Sequence, residues 1–332
     1  MKTVKQDFYD SFMCLADKCP KTCCQGWQVI RDDGSLMPFK EGKCVNLTEN
    51  GLCSIVLAKG EEAIDYVCHM YPRHVEEYDG VREWSLSISC PEAARIVVTS
   101  STKAAYIVTE DDEPEPMSDD FDDFDYMLYS NLESAREVLY GIIQSDKLNF
   151  PTKLKAILDM AYELQECYDN DEAYLMEDII GKWSNTDLIE GVIEFNPNDF
   201  FIQNRNLLNR MEILAPDWTD VLNCASSMEK AVCTPFDGEW ELIKENILMS
   251  FVYTYFLGAS YTGMIYSKTA LCVYGMLMID ILAVGVFGKD GIVSKEKYIE
   301  MVYRFAKETE HSTENLNAIE EYWDMKKFEY FA

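Results

Sequence analysis

Residues 12–27 read FMCLADKCPKTCCQGW, and four cysteines lie within the eleven residues from Cys14 to Cys24. The chain has 332 residues and twelve cysteines, eight of which fall in the first ninety residues. These eight are Cys14, Cys19, Cys23, Cys24, Cys44, Cys53, Cys68 and Cys90. Clustered thiolates are soft ligands that bind iron–sulfur clusters and zinc. The sequence therefore predicts an N-terminal module, residues 1–100, that binds a metal or iron–sulfur cofactor through these cysteines.

The rest of the module is punctuated by glycine and proline, which predicts a loop-rich structure held together by its ligands. Pro91 and Glu92, directly after Cys90, are typical of the first turn of a helix. The remaining cysteines are spread singly over the chain and indicate ordinary core thiols. They are Cys167, Cys224, Cys233 and Cys272. Cys233 lies beside Thr234-Pro235, where a turn could bring its thiol back to the module.

Three kinds of cysteine site are open at this point. Disulfides explain an even count, but a reducing compartment and the adjacent pair Cys23-Cys24 disfavour them. Structural zinc would hold a small loop-rich domain together. The spacing differs from a pair of CxxC knuckles, which favours iron–sulfur ligation over zinc. The eight thiolates could form two sites of four, or one site of four and a three-thiolate cluster with an open iron.

Charge and hydropathy limit the class of partner. The formal net charge is −30, so we expect no nucleic-acid partner and instead a cationic ligand or a lysine-bearing protein surface. The N-terminal residues include no apolar run, which predicts a cytoplasmic protein. Two apolar segments, 247–266 and 271–287, are interrupted by polar residues and by Asp280. We expect them to form a buried helical hairpin and not a membrane hairpin.

The fold class follows from periodicity. Leu128, Leu132, Ala135 and Leu139 recur at the spacing of one helix face. Similar patterns predict helices near 171–183, 198–214, 217–231, 239–266, 269–287 and 294–308. The stretch 110–125 has ten acidic residues in sixteen, which is typical of a solvated linker. We predict a mainly α fold, with the cysteine module 1–100, an acidic linker 101–125 and a helical domain 126–332 on which the module packs.

The histidines and the spaced glycines predict no catalytic or nucleotide-binding site. The chain has three histidines, and we expect His69 and His74 to be structural hydrogen-bonding groups and His311 to lie at the surface. So few histidines support no Ser/His/Asp arrangement, and no catalytic residue is predicted. The glycines at 285, 288 and 291 follow a helical pattern and not a strand, which predicts a turn and not a dinucleotide site.

The cysteine motifs resemble a known family. The pattern Phe12-x-Cys14-x4-Cys19-Pro20-x2-Cys23-Cys24-x-Gly26-Trp27 resembles the start of the zinc- or iron-chelating cysteine-cluster superfamily, the CxxCxxCC type. Its flagellin lysine-N-methylase branch is similar at Gly51-x-Cys53, at Cys68-x-x-Tyr71-Pro72-Arg73 and at Ser89-Cys90-Pro91-Glu92-Ala93-Ala94-Arg95. The resemblance is dense over residues 8–98 and looser beyond them.

The resemblance implies a protein-lysine N-methyltransferase that acts on flagellin. It also implies S-adenosylmethionine as methyl donor and an iron–sulfur cluster, expected as 4Fe-4S, on the eight cysteines. The C-x3-C-x2-C signature of radical methionine-adenosyl enzymes is not reproduced, because Cys24 directly follows Cys23. The alternative is a non-enzymatic zinc- or iron-binding interaction protein whose cysteine module is structural. Methylation requires a neutral amine, which an apolar aromatic pocket favours.

Overall fold

The computed structural model describes residues 1–78, 80–110, 123–186, 189, 193–226, 240–288 and 293–331. The strands are β1 (Lys2–Gln6), β2 (Phe39–Lys40), β3 (Lys43–Cys44), β4 (Arg73–Tyr78), β5 (Val81–Leu86) and β6 (Tyr106–Glu110). The N-terminal helices are α1 (Ser54–Lys59), α2 (Tyr66–Met70) and α3 (Pro91–Thr99). The later helices are α4 (Tyr126–Ile143), α5 (Phe150–Asp169), α6 (Met176–Trp183), α7 (Pro197–Leu208), α8 (Trp218–Ser226), α9 (Trp240–Tyr255), α10 (Ala259–Thr262), α11 (Ile265–Phe287), α12 (Lys295–Glu310) and α13 (Thr313–Asp324). The mainly α prediction is confirmed.

A four-stranded sheet, in the order β4-β5-β1-β6, forms the part of the N-terminal region that the helices cover. β4 and β5 are an antiparallel hairpin, β1 runs parallel to β5, and β6 runs antiparallel to β1. Strand β6 falls inside residues 101–125, which we expected to be a linker. Its backbone pairs with β1 over five residues, and the ring of Tyr106 stacks on Tyr253 at 4.4 Å between centroids. Residues 111–122 of the acidic stretch lie outside the described residues, and the predicted domain boundaries stay a prediction.

The sheet and the helices share one hydrophobic core. Val4 of β1, Val81 of β5 and Val97 of α3 are buried in the same cluster as the apolar faces of α4, α5, α9 and α11. The hydroxyl of Tyr253 donates to the carbonyl of Val4 at 3.1 Å, and that of Tyr106 donates to the carbonyl of Met249 at 3.1 Å. These bonds satisfy tyrosine hydroxyls that would otherwise be buried without partners.

One buried ion pair also joins the sheet to the helices. The guanidinium of Arg136 in α4 contacts both carboxylate oxygens of Glu83 in β5, one of them at 2.7 Å. Both side chains are almost fully buried. The guanidinium lies 5.3 Å from the ring centroid of Tyr253. The pair therefore fixes β5 against α4 in the protein interior.

Helix α11 occupies the centre of the helical region and contacts α5, α8, α9, α12 and α13. Among the described helices it is the one long and apolar enough to cross a membrane, and 83% of its most apolar window is buried within the fold. Asp280 accepts a hydrogen bond from Tyr298 Oη at 2.6 Å and lies 3.7 Å from the Lys244 ammonium. The carboxylate of Asp280, which interrupts the apolar run, therefore has a hydrogen-bond donor and a cation beside it inside the protein. Helix α9 packs on α11, as the predicted helical hairpin requires.

Helix termini follow the capping signals of the sequence. Asp125, Asn149 and Ser312 cap α4, α5 and α13 through side-chain acceptors, and Pro91 opens α3. One glycine of the motif departs from the expected turn, whereas Gly288 follows the last residue of α11 as its C-cap and Gly291 lies outside the described residues. Gly285 lies inside α11, and a Cβ there would lie 2.7 Å from Ala225 Cα, so this glycine allows close contact between α11 and α8.

Candidate functional site

The cysteine loop, residues 22–27, is the centre of the N-terminal module. Cys23 and Cys24 are half-buried, and their thiols are hydrogen-bonded to each other. This bond raises the pKa of the Cys23 thiol and lowers that of Cys24 to about 6. The indole Nε1 of Trp27 donates to the carbonyl of Cys23 at 2.6 Å. Gly26 has a φ of +82°, which glycine adopts without strain and which turns the loop between the cysteines and Trp27.

The remaining module cysteines lie on short elements around this loop. The amide of Cys44 at the end of β3 donates to the carbonyl of Cys24 at 2.8 Å. Cys53 precedes α1 and bridges to Leu47, and Cys68 is exposed on α2. Cys90 is the buried residue before α3, while Cys14 is exposed and Cys19 is half-buried. All eight thiols are free of disulfide bonds.

Electrostatic coupling links the thiols in two neighbouring sets. Partial burial of the Cys68 thiol is the largest cause that raises its pKa to about 11. The nearby thiol of Cys24 also raises it, and Cys44 and Cys53 add to this effect. Burial also raises the pKa of Cys90 to about 11, with smaller contributions from Cys19 and Cys14. One set is Cys24, Cys44, Cys53 and Cys68. The other set is Cys14, Cys19, Cys23 and Cys90. The hydrogen bond between Cys23 and Cys24 connects the two sets.

The sulfur donor atoms of these cysteines are of the type that binds iron–sulfur clusters and zinc, because both prefer soft ligands. Their side chains are not drawn together into a closed site. Within the described ranges, no three His, Cys, Asp or Glu side chains are arranged to hold one metal ion. The ligand assignment therefore stays a prediction. Of the isolated cysteines, Cys272 is buried in α11 with its thiol 3.1 Å from the Lys268 carbonyl, and Cys233 lies outside the described residues.

Lys307 of α12 anchors the cysteine loop. Its ammonium donates to the carbonyls of Gln25 at 2.7 Å and Thr22 at 3.3 Å. The side chain is buried, and no carboxylate within the described ranges forms an ion pair with it. A buried ammonium needs such acceptors to offset its lost hydration. The loop that contains Cys23 and Cys24 is thereby fixed on the last turns of α12.

A cavity of about 410 Å³ lies directly beyond this anchor, between the module and the helices. Its walls come from the cysteine loop, the α2–β4 segment, the end of β5 with the connection that follows it, and the helical segments α9, α12 and α13. Apolar and aromatic side chains cover most of the wall. Among the polar side chains of the wall, those of Ser87, Glu310 and His311 are the ones on which the functional proposal depends.

Three rings meet at one side of the cavity. Trp27 and His311 are 4.3 Å apart between centroids, Tyr71 and His311 are 5.5 Å apart, and Trp27 and Tyr71 are 5.7 Å apart. Burial lowers the pKa of His311 to about 3, so its imidazole is neutral at physiological pH. Trp27 and Tyr71 belong to the motifs that carry the family resemblance. Those motifs therefore supply the cavity wall as well as the cysteines.

Glu310 and His311 bond to two neighbouring serines. Glu310 Oε2 accepts a hydrogen bond from Ser87 Oγ, and His311 Nε2 lies 2.8 Å from Ser89 Oγ. Ser89 also lies 3.1 Å from the Tyr71 hydroxyl. A Ser/His/Glu triad requires the carboxylate to orient the imidazole, and here the carboxylate of Glu310 bonds to Ser87. The arrangement is therefore no hydrolytic triad.

The cavity residues that come from α9 and from the helices after it lie in a region that matches a known protein family. A family model described as the FliB lysine N-methylase C-terminal domain matches residues 136–332, more than half of the chain. The chain belongs to this family. Membership confirms the resemblance predicted from the cysteine motifs, and it confirms the protein-lysine methyltransferase class of enzyme at the level of the family.

Individual relatives are more distant. The flagellar biosynthetic protein FliU of Salmonella muenchen is 24% identical over 118 residues, an alignment that covers 26% of this chain and 70% of the relative. A lysine-N-methylase of Salmonella typhimurium and another of Salmonella choleraesuis are each 24% identical over 118 residues. The chain spans only 29% of the length of each of these two enzymes. No solved structure matches the chain.

The region that matches the family model supplies residues at the cavity and the cysteine loop that the sequence analysis did not single out. His311 was expected at the surface, which is wrong, because it packs against Trp27 and Tyr71 at the cavity. Glu310 and Lys307 lie in a charged run, KETEH, that reads as a solvated helix end. Only the amphipathic spacing of α12 hinted that one side of this run is buried. His69 is exposed on α2, and His74 lies 2.7 Å from Glu76.

Proposed function

We propose that this protein is a lysine N-methyltransferase that modifies flagellin with S-adenosylmethionine as methyl donor. Family membership supports lysine methylation, and the flagellar name of one relative supports a flagellar substrate. The proposal includes a cytoplasmic location, where flagellin would be modified before or during export. The net charge of −30 favours association with a lysine-bearing surface.

The observation that carries the proposal is the cavity between the cysteine loop and α12. A lysine that is to be methylated must lose its proton, because only the neutral amine has a lone pair for attack. An apolar site with aromatic walls favours the neutral amine and packs against the methylene stem. The cavity has such walls in Trp27, Tyr71 and Phe251, and one carboxyl group lines it, that of the half-buried Glu310.

We also propose that the eight module cysteines hold an iron–sulfur cluster of the 4Fe-4S type, with zinc as the alternative. The neighbourhood of Cys44, Cys53 and Cys68 to Cys24, and of Cys14 and Cys90 to Cys23, is compatible with the two-site arrangement among the possibilities that the sequence leaves open. When bound, such a cluster supplies electron transfer and the folding free energy of its ligand bonds. The chain's own residues then position the lysine, since Trp27 is connected to the cysteine loop by its bond to Cys23.

The test is methyl transfer by the full chain, purified without oxygen and with its metal content measured. Flagellin and a methyl-labelled donor are incubated with the protein, and modified lysines are identified by mass spectrometry. Flagellin whose lysines are chemically acetylated is the matched control and should take up no label. Absence of label from the unmodified flagellin, with fully metallated protein, would contradict the enzyme proposal and favour a non-enzymatic metal-binding role.

A further inference from the structure

Glu310 is a half-buried residue of the cavity wall whose carboxyl group is placed to receive a cation. It is the last residue of α12 and lines the cavity. Its carboxylate accepts a hydrogen bond from Ser87. No lysine or arginine in the described part of the chain forms an ion pair with it, and the charged groups that act on it are led by His74 of β4. A carboxylate in such surroundings favours a positively charged ligand, because that ligand offsets its lost hydration.

We propose that Glu310 accepts the proton of the substrate lysine's ammonium group, while Trp27, Tyr71 and His311 hold the lysine side chain. This inference rests on the proposed methyltransferase function and names the group that prepares the acceptor. The three rings lie within 6 Å of one another and form one aromatic wall, and an ammonium is attracted to such a face when it lies within about 6 Å of a ring centroid. The neutral imidazole of His311 adds no positive charge that would repel the lysine.

The acidity of Glu310 suits this role. Burial is the largest cause that raises the pKa of its carboxyl group to about 7, while the hydrogen bond from Ser87 and the charge of His74 lower it. Tyr255 of α9 also bonds to it. A base with a pKa near the working pH is deprotonated often enough to act and is basic enough to take a proton. Burial thus brings the carboxyl group closer in basicity to the amine.

The chemical step balances with the proposed sulfonium donor. The lysine ammonium transfers one proton to the carboxylate of Glu310 and becomes a neutral amine. The amine lone pair then forms a bond to the methyl carbon of S-adenosylmethionine, the carbon–sulfur bond breaks, and its electron pair remains on sulfur. The products are a methyl-lysine, a neutral thioether and protonated Glu310, which returns its proton to solvent.

The test compares Glu310→Gln with Glu308→Gln in the full chain, by initial rates of methyl transfer over a pH series around neutrality. Glutamine at position 310 can still accept the Ser87 hydrogen bond but cannot take a proton. We expect it to lower the rate by about 10²–10⁴-fold and to remove the plateau in rate above about pH 7, because the lysine then loses its proton to solvent and the rate goes on rising with pH. Glu308 is the matched control, because its pKa is also raised to about 7 but its carboxylate caps the amides of Leu214 and Ala215 outside the cavity. Glu308→Gln should keep both the rate and the acid limb.

A second variant keeps the inference testable if Glu310→Gln does not fold. Ser87→Ala removes a hydrogen bond that lowers the pKa of Glu310, so the acid limb of the rate should move to higher pH. Wild-type protein that transfers no methyl group would overturn the proposed function itself. Active wild-type protein whose plateau above about pH 7 survives in Glu310→Gln, or whose acid limb does not move in Ser87→Ala, would overturn the role of Glu310 alone.

Discussion

The buried pair of Glu83 and Arg136 predicts a strongly asymmetric mutational response. Arg136→Met keeps an apolar stem but leaves the carboxylate of Glu83 buried without its partner. The two side chains are 3% and 7% exposed, so water cannot replace the lost bonds. Breaking one side of such a pair costs about 3–5 kcal/mol, and loss of the contact with the Tyr253 ring adds about 0.5–2 kcal/mol. This is a large part of the roughly 5–15 kcal/mol that stabilises a domain.

The double variant Glu83→Leu with Arg136→Met removes both charges, and we expect most of the lost stability to return. Urea unfolding, followed by both tryptophan fluorescence and far-ultraviolet circular dichroism, measures these differences. Lys182→Met is the control, because its bond to Glu163 lies at the surface and is worth less than about 1 kcal/mol. A cost below about 1 kcal/mol for Arg136→Met, or a double variant as unstable as the single one, would refute the reasoning. Because the sheet and the helices share one core, both probes should also report a single transition.

Three further predictions address the site. Protein purified without oxygen should contain iron and sulfide and absorb broadly near ~400 nm; a colourless protein with stoichiometric zinc would favour a structural metal. Cys24→Ser should lower the metal content, whereas Cys272→Ala should leave it unchanged and cost at most a few kcal/mol in packing; metal analysis distinguishes the two. Glu310→Gln should be more stable than wild type at pH 8, by at most roughly 3 kcal/mol, and no more stable at pH 4. The sign follows because the folded-state pKa of Glu310 is raised above its usual value, so wild type loses stability as pH rises through 7; thermal unfolding at the two pH values checks it.

Local signals in the sequence predicted the helices well. The spacing of Leu128, Leu132 and Leu139 places these residues on the buried face of α4. Pro91 marks the start of α3. These features depend on neighbours three or four residues apart, so a single sequence contains them.

The sheet was missed because much of its pairing is non-local. Strand β1 is a short polar run, KTVKQ, and its partners are β5 and β6, far away along the chain. The sequence contains one local signal for the β4–β5 hairpin. The Asp79-Gly80 dipeptide, which is typical of a hairpin turn, lies between two segments that each contain valine and an aromatic residue. The cysteine motifs predicted where the site begins, but Glu310 and His311 join it through the tertiary fold. No pattern within α12 reveals that Glu310 lines the cavity or that His311, directly after the helix, packs against Trp27.

The contact between Lys307 and the cysteine loop has a consequence for biogenesis. The cysteine loop leaves the ribosome before the helix that fixes it, because Gln25 precedes Lys307 by 282 residues along the chain. A nascent chain therefore displays its cysteine loop before the cavity residues Glu310 and His311 exist. Unfinished chains would carry the cysteine module without a complete cavity.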